Sequence, residues 1–211
     1  MKDITLKFAK LYSLQREDYN NELDNLSPQD LKELVSDLLN LNLTDPNFSS
    51  LAESIPIDLG GYKKFDEKHG YDGYIGESYE EAEEYLEMKP EKTSSTSKKL
   101  SGAGGYADYT EKRLQDDKNL GSKLKLGIPG FVNGQLIYFF KVPYTHSPFI
   151  DHIEKRTHYL INKGKRVLPT FGYNHYKDCK DIELVYLRED IQKYKDYMSK
   201  PFYEFLLKLK K

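Results

Sequence analysis

The chain has 211 residues, of which 38% are hydrophobic and 31% charged. This balance excludes an intrinsically disordered chain, and the length suffices to bury a core without disulfides or structural metals. Its single cysteine, Cys179, excludes an intramolecular disulfide and a thiolate-rich zinc site. No apolar run approaches the ~18 residues of a membrane span, and the first residues lack the apolar segment of a signal peptide. We therefore expect a cytoplasmic protein without a membrane partner.

The net charge of −2 hides two halves of opposite sign. Residues 1–117 contain 14 Lys and Arg against 25 Asp and Glu, whereas residues 118–211 contain 18 against 9. A basic half suits a polyanionic partner, because Lys and Arg supply the affinity for phosphate groups. The alternative is that the two halves neutralise each other across an internal interface.

The N-terminal part of the chain is predicted to be helical. Apolar residues recur on one helix face in residues 1–20, and residues 28–40 have the stronger pattern, with Ser27 as the cap. Asp45-Pro46 ends this helix, and "NFSSLAESI" adds a short helical turn.

The middle of the chain contains a short strand and an ambiguous segment. The strand is "GYDGYIG", with Asp72 near its middle. The ambiguous segment is "ESYEEAEEYLEMKPE", in which Ser78 and Glu81 match the capping box of a helix. Alternatively, a turn leads into a strand that ends in "YLEMKP", because Pro90 favours an extended backbone before it. Periodicity alone does not decide between the two.

Clearer signals predict the remaining elements. Residues 91–106 form a polar, glycine-rich loop, and a short helix is expected at residues 109–120. Two apolar runs in "KLKLGIPGFVNGQLIYFFKVPY" flank Asn133-Gly134, whose tolerance of positive φ favours a hairpin turn. The last elements are a helix from Ser147-Pro148 to Gly164, strands at about 166–172 and 183–187, and a helix at about 201–211.

This order of elements predicts an α/β (α+β) fold, in which helices flank a mixed central β-sheet. We divide the chain into a helical N-terminal portion, residues 1–55, and a sheet-containing core, residues 56–211. The core is expected to be a single compact unit.

Two carboxylates and a lysine form the strongest functional pattern. In a strand, Glu87 and Lys89 point to the same face, and an adjacent strand can bring Asp72 to the same edge. Two carboxylates can hold a hard cation such as Mg²⁺, which activates a water and stabilises charge on a phosphate. The lysine would position that water or stabilise the phosphorane. If the segment is instead a helix, Glu87 and Lys89 lie ~200° apart on it and no site forms.

The segments "YDGYIG" and "YLEMKPEKTS", 15 positions apart from Asp72 to Glu87, resemble the PD-(D/E)xK nuclease superfamily. Within that superfamily they look most like a type II restriction endonuclease, although Tyr71 stands where the motif has proline. The resemblance implies that Asp72, Glu87 and Lys89 are catalytic and that Asp72 and Glu87 bind Mg²⁺.

The resemblance covers roughly residues 28–188 and implies a restriction-endonuclease-like αβββαβ core. Residues 28–40 would be its first helix, and the hairpin with the helix that ends at Gly164 would complete it. The implied function is a Mg²⁺-dependent deoxyribonuclease that cuts double-stranded DNA at a specific sequence within a restriction-modification system. A homodimer is implied as well.

Two loops supply candidate DNA-binding groups. The polar loop after Lys89 carries side chains and backbone amides that suit phosphate contacts, at Lys92, Lys98, Lys99, Ser101 and Gly102. In "FGYNHYKDCKD", Asn174, His175 and Lys177 are further candidates, and His175 with Asp178 could form a base and its orienting partner. The alternatives are a linker without a partner and an ordinary turn histidine.

Two other functions stay open. One is a metal-independent nucleic-acid-cleaving enzyme that uses His175 and Asp178, which predicts activity in EDTA. The other is a non-enzymatic interaction protein whose acidic N-terminal half contacts a basic partner, which predicts an exposed helix at residues 78–88. The sequence contains no Walker loop, no GxSxG elbow and no ligand spacing typical of zinc sites.

Overall fold

The computed structural model describes residues 23–44, 50–65 and 70–210. The chain divides into two units, Met1–Phe48 and Ser49–Lys211. The helix predicted at residues 1–20 and the break at Asp45-Pro46 lie outside the described residues. Among the helices that are described, none is long and apolar enough to cross a membrane.

The first unit contributes one described helix, α1 (Pro28–Thr44). Its start is a reciprocal cap: Asp30 N donates to Ser27 Oγ at 3.1 Å, and Ser27 Oγ donates to Asp30 Oδ2 at 2.8 Å. The first bond satisfies a backbone donor that a helix start leaves open, and the second joins the two side chains. The helix predicted at residues 28–40 is confirmed.

A helix and three short strands open the second unit. They are α2 (Ser50–Leu59), β1 (Lys63–Lys64), β2 (Gly73–Ile75) and β3 (Glu84–Met88). The strands pair antiparallel in that order, with Lys64 opposite Gly73 and Gly73 opposite Leu86. Gly61, at φ 75°, makes the turn between α2 and β1. Helix α2 is longer than the short turn that the sequence suggested, and it contains the boundary predicted at residue 55.

The ambiguous acidic segment is a turn followed by a strand. Glu81 N does donate to Ser78 Oγ, at 3.3 Å, but this bond closes a turn and starts no helix. The chain then joins the sheet, where Tyr85 packs in one apolar cluster while Leu86 and Met88 pack in another. Successive side chains of a strand point to opposite faces of the sheet, so a strand places Tyr85 in one cluster and Leu86 and Met88 in the other. The strand alternative is therefore confirmed, and the helix alternative is wrong.

A helical crossover connects β3 to the longest strands. The elements are β4 (Glu91–Thr93), β5 (Gly104–Gly105), α3 (Glu111–Leu120), a 3-10 turn (Gly121–Lys123) and β6 (Leu124–Val132). Strand β6 runs parallel to β3, with Glu87 opposite Leu126, and β4 also pairs with β6. Helix α3 is capped by Thr110, whose Oγ1 accepts from Arg113 N at 3.1 Å. Parallel neighbours require such a crossover.

The predicted hairpin is confirmed. Strand β7 (Gln135–Pro143) returns antiparallel to β6 after a turn at Asn133 and Gly134, which have φ values of 49° and 75°. Positive φ at both positions is typical of a tight hairpin turn. Strand β9 (Glu183–Leu187) pairs antiparallel with β7, so the sheet order is β1-β2-β3-β6-β7-β9.

The last elements cover one face of the sheet. They are α4 (Ser147–Asn162), β8 (Thr170–Phe171), 3-10 turns at Tyr173–His175 and Ile191–Tyr197, and α5 (Lys200–Leu209). Helix α4 is confirmed, with His146 rather than Ser147 at its N-cap position. The strand predicted at residues 166–172 shortens to β8, which pairs with β5 in a separate two-stranded sheet.

Apolar clusters lie on both faces of the sheet. The larger one joins β6 and β7 to side chains of α3, α4 and α5, such as Leu114, Phe149 and Phe202. The smaller one joins α2 to the other face, through Ile57 against Leu86, Met88 and Phe139. The predicted class, a mixed α/β fold with helices flanking a mixed sheet, is confirmed.

Candidate metal-dependent active site

Asp72 and Glu87 approach each other at the edge where β2 begins and β3 ends. Because Gly73 pairs with Leu86, the residues just outside this pair, Asp72 and Glu87, are neighbours across the two strands. The Asp72 side chain is fixed there, since its Oδ2 accepts from Met88 N at 2.5 Å. The proximity expected from the strand interpretation is therefore present in the structure.

Lys89 lies on the same side of the chain as Glu87. Its Nζ is 2.5 Å from Glu87 Oε1, and both side chains are largely buried, with 17% and 13% exposed. The ammonium group also lies 4.6 Å from the centre of the Tyr106 ring, where the negative face of an aromatic ring attracts a cation. Lys89 is thus held beside the carboxylates by two separate interactions.

Burial and charge place Asp72 under electrostatic strain. Burial, assisted by the nearby charge of Glu87, raises the pKa of Asp72 to about 7, while the Met88 amide and Lys89 oppose the rise. Two carboxylates that share a poorly solvated site repel each other when both are ionised. A bound cation would relieve this repulsion.

Two carboxylates are the oxygen ligands that this sheet edge could offer to a divalent ion. Within the described ranges, no group of three or more His, Cys, Asp and Glu side chains is arranged to hold a metal. Mg²⁺ is commonly bound by one or two carboxylates plus waters and substrate phosphates. Asp72 and Glu87 could supply two such carboxylates. Glu87 would have to exchange one of its present cationic partners for the metal.

Sequence reasoning missed Glu53, a third carboxylate near the site. Burial raises the pKa of Glu53, Lys89 and Lys64 lower it, and Glu87 raises it. Glu53 therefore lies within electrostatic reach of both Lys89 and Glu87, from helix α2. No sequence signal ties this helix to strands β2 and β3, because the pattern around Glu53 predicts only a short helical turn outside the core.

Arg113, on helix α3, is the second residue that sequence reasoning missed. Its Nη2 donates to Glu87 Oε2 at 3.0 Å, and its Nε donates to Asp117 Oδ1 at 2.8 Å. Burial would lower the pKa of Arg113, but the charges of Glu87 and Asp117 outweigh it and raise the pKa. The i, i+4 spacing of Arg113 and Asp117 on a predicted helix was an available signal for their pairing.

The glycine-rich loop after Lys89 is organised by an internal carboxylate. The backbone amides of Ser101 and Gly102 both donate to Glu91 Oε2 at 2.8 Å, and Ser101 Oγ donates to Glu91 Oε1 at 3.1 Å. The amides that were predicted to bind DNA phosphate thus already have an acceptor. Of the lysines predicted there, Lys92 lies in β4, and Lys98 and Lys99 are exposed.

Replacing Glu91 is expected to loosen this loop. In Glu91→Ala, the amides of Ser101 and Gly102 lose their acceptor, and an unsatisfied buried donor costs ~1–3 kcal/mol. Urea unfolding should therefore show a free energy of unfolding lower by about that amount. Glu80→Ala, at an exposed turn position, is the control and should unfold like the wild type. An unchanged midpoint for Glu91→Ala would show that the carboxylate does not organise the loop.

The second predicted DNA-binding loop lies against the first. Tyr176 Oη donates to Gly102 O at 2.6 Å, and β8 pairs with β5. Asn174 and Lys177 are exposed here. The structure thus brings the two loops together. The glycine-rich loop also contacts Lys89, whose ammonium group lies over the ring of Tyr106 at the end of that loop.

His175 does not pair with Asp178. Its ring stacks on His152, with 3.7 Å between ring centres, and its Nδ1 lies 3.1 Å from Gly172 O. Burial and the neighbouring His152 lower the pKa of His175. The base-and-orienter pair that His175 and Asp178 could form is not among the hydrogen bonds of the described residues, and the imidazole lies against His152 of helix α4 instead.

Comparison with known proteins adds no assignment. No protein-family model matches the chain, and no curated protein matches it either. The function must therefore be inferred from the site: two carboxylates, one of them with a raised pKa, beside a lysine and an arginine.

Proposed function

We propose that this protein is a Mg²⁺-dependent endonuclease that hydrolyses phosphodiester bonds of double-stranded DNA, related to the PD-(D/E)xK superfamily. The observation that carries the proposal is the meeting of Asp72, Glu87 and Lys89 at one sheet edge. Lys89 Nζ lies 2.5 Å from Glu87 there, and burial together with the charge of Glu87 raises the pKa of Asp72 to about 7. By the resemblance, we further propose sequence-specific cutting of the restriction type by a homodimer, whose two-fold symmetry would give one site per strand.

The order of elements around the site supports the proposal. When the short strands β4 and β5 between β3 and α3 are set aside, helix α2, strands β1 to β3, helix α3 and strand β6 have an αβββαβ order, with β6 parallel to β3. These are not the helices that the sequence suggested for the core. The first helix in this order is Ser50–Leu59 instead of residues 28–40, and the second is Glu111–Leu120 instead of the helix that starts at Ser147.

Each residue of the cluster has a role in the proposed hydrolysis. Asp72 and Glu87 would hold Mg²⁺, which when bound supplies positive charge to the phosphate and lowers the pKa of a coordinated water. Lys89, fixed between Glu87 and the Tyr106 ring, would orient the attacking water and stabilise the charge that develops on the phosphate. The water oxygen would bond to phosphorus and release a proton to solvent, the bond to the leaving deoxyribose oxygen would break, and that oxygen would take up a proton from solvent.

Two other functions lack a specific observation in their favour. A metal-independent enzyme built on His175 and Asp178 would need these side chains in contact, and they do not hydrogen-bond. An interaction protein with an exposed acidic helix at residues 78–88 would need that helix, but the segment is a turn and a strand with buried apolar side chains.

The proposal is tested by cleavage of a mixed plasmid and phage DNA substrate in Mg²⁺ and in EDTA. The wild type should give discrete fragments in Mg²⁺ and none in EDTA. Lys89→Ala should lower the rate ~10²–10³-fold, because it removes a charge aimed at the transition state. Lys208→Ala, an exposed lysine of α5, serves as the control and should cleave normally.

Two results would contradict the proposal. Cleavage that survives both EDTA and Lys89→Ala would place the chemistry elsewhere in the chain. Absence of cleavage by the wild type with Mg²⁺, Mn²⁺ and Ca²⁺ on all substrates would favour a non-enzymatic function.

A further inference from the structure

We propose that Arg113 contacts the phosphate group that is hydrolysed, and that Asp117, Tyr71 and Tyr109 hold its guanidinium in place for this purpose. The inference rests on the proposed nuclease function, to which it adds a substrate-binding residue from helix α3. The resemblance that suggested Asp72, Glu87 and Lys89 does not include this residue.

Arg113 and Lys89 each form an ion pair with the carboxylate of Glu87. Lys89 Nζ lies 2.5 Å from Glu87 Oε1, and Arg113 Nη2 lies 3.0 Å from Glu87 Oε2. Two cations therefore flank Glu87 at the place where a phosphate would approach the carboxylates. The Arg113 side chain is 30% exposed, so a substrate can reach it.

Asp117, Tyr71 and Tyr109 form a buried polar platform that holds the Arg113 guanidinium in place. Asp117, which is 1% exposed, accepts from Arg113 Nε at 2.8 Å, from Tyr71 Oη at 2.6 Å and from Tyr109 Oη at 2.5 Å. Tyr109 Oη is also within 2.6 Å of Tyr144 Oη. The Tyr71 ring lies against the guanidinium, with 4.2 Å between the ring centre and the guanidinium carbon. A buried carboxylate with three donors is costly to assemble, and it leaves Arg113 oriented before substrate binds.

The outward part of Arg113 keeps donors for a ligand. A guanidinium has five N–H donors in a planar fork that matches phosphate oxygens. Within the part of the chain that the structure describes, Nε and Nη2 donate to Asp117 and Glu87, and Nη1 donates to no protein group. If Glu87 turns to Mg²⁺, Nη2 is released as well, while Nε stays on Asp117. Nη1 and Nη2 would then both be available to donate to a phosphate.

A purely structural Arg113, which only orients Glu87, would behave differently from one that binds phosphate. The experiment uses a short duplex that contains the cut site mapped with the wild type, in two forms. One has the natural phosphate at that site, and the other has an uncharged methylphosphonate. Binding of both duplexes is measured with Ca²⁺ in place of Mg²⁺, and single-turnover cleavage of the natural duplex is measured with Mg²⁺.

The proposal predicts a loss that depends on the phosphate charge. Arg113→Ala should weaken binding of the natural duplex ~10-fold or more and leave binding of the methylphosphonate duplex nearly unchanged. It should also lower the cleavage rate ~10²-fold or more. Arg113→Lys keeps the charge without the fork and should show an intermediate loss, which covers the case that the alanine variant is unstable. Lys112→Ala, an exposed neighbour on α3, should match the wild type.

The failures of the two proposals are distinguishable. If the wild type cleaves but Arg113→Ala and Arg113→Lys cleave and bind like it, Arg113 has no part in the site. If they lose equal affinity for both duplexes, Arg113 acts only through Glu87. Either result overturns this inference and leaves the nuclease assignment intact, whereas a wild type that never cleaves overturns both.

Discussion

Asp72→Asn is expected to abolish Mg²⁺-dependent cleavage and, in the same molecule, to stabilise the metal-free protein at pH 8. The first effect follows from the loss of one of two carboxylates that would hold the metal. The second follows from the pKa of Asp72, which burial and then Glu87 raise to about 7 from an ordinary 3.8. A residue with a role only in folding would not give opposite effects on activity and stability.

The pH dependence has a defined sign. Below pH ~4, Asp72 is protonated in the folded and the unfolded chain and contributes nothing to the pH dependence. Between pH ~4 and 7 the unfolded chain releases this proton and the folded chain keeps it, so stability falls as the pH rises. Above pH 7 both forms are ionised, and the full cost, on the order of 4 kcal/mol from ~1.4 kcal/mol for each pKa unit, persists.

Thermal melts of the wild type and Asp72→Asn at pH 5 and pH 8, in EDTA, measure this cost. The variant should exceed the wild type by several degrees at pH 8 and by much less at pH 5. Added Mg²⁺ should raise the melting temperature of the wild type at pH 8 and not that of the variant. Asp178→Asn, at an exposed position, should show no difference at either pH. Equal melts for wild type and Asp72→Asn at pH 8 would show that this carboxylate is not strained.

The elements of this fold were largely predictable from the sequence, because their signals are local. Asn133-Gly134 between two apolar runs specified the hairpin, and Ser27 specified the start of α1. The acidic segment at residues 77–91 could not be assigned in this way. Its Ser78–Glu81 hydrogen bond forms in a turn as well as in a helix. The outcome depended on burial of Tyr85 and Leu86 on opposite faces of the sheet, which is a tertiary effect.

The site was predictable only where one strand carries it. The period of two places Glu87 and Lys89 together once the segment is a strand, and Asp72 follows from the neighbouring strand. Glu53 lies on a helix that was expected outside the core. Arg113 lies on a helix for which the sequence suggested no role. The crossover helix α3, "EKRLQDDKNL", has few apolar residues, so its sequence resembles a solvated surface helix. Asp117 is buried in this helix together with Leu114. A pattern of apolar residues cannot predict such a position, because the buried side chain is a carboxylate.

Asp117→Ala is expected to be the most destabilising single substitution in the site. Asp117 accepts hydrogen bonds from Arg113 and from the hydroxyl groups of Tyr71 and Tyr109. Its removal leaves a half-buried guanidinium and two buried hydroxyl groups without their acceptor. Breaking one side of a buried ion pair costs ~3–5 kcal/mol, and we expect a reduction of the free energy of unfolding in that range by urea denaturation.

The neighbouring residue supplies the matched control. Asp116 lies on the same turn of α3 but is exposed, so Asp116→Ala should change the free energy of unfolding by less than ~0.5 kcal/mol. The double variant Arg113→Ala, Asp117→Ala should cost less than the sum of the two single variants, because removing both charges leaves neither one unpaired. If Asp117→Ala and Asp116→Ala unfold at the same urea concentration, the platform behind Arg113 is not formed. The guanidinium would then have no fixed orientation toward a phosphate.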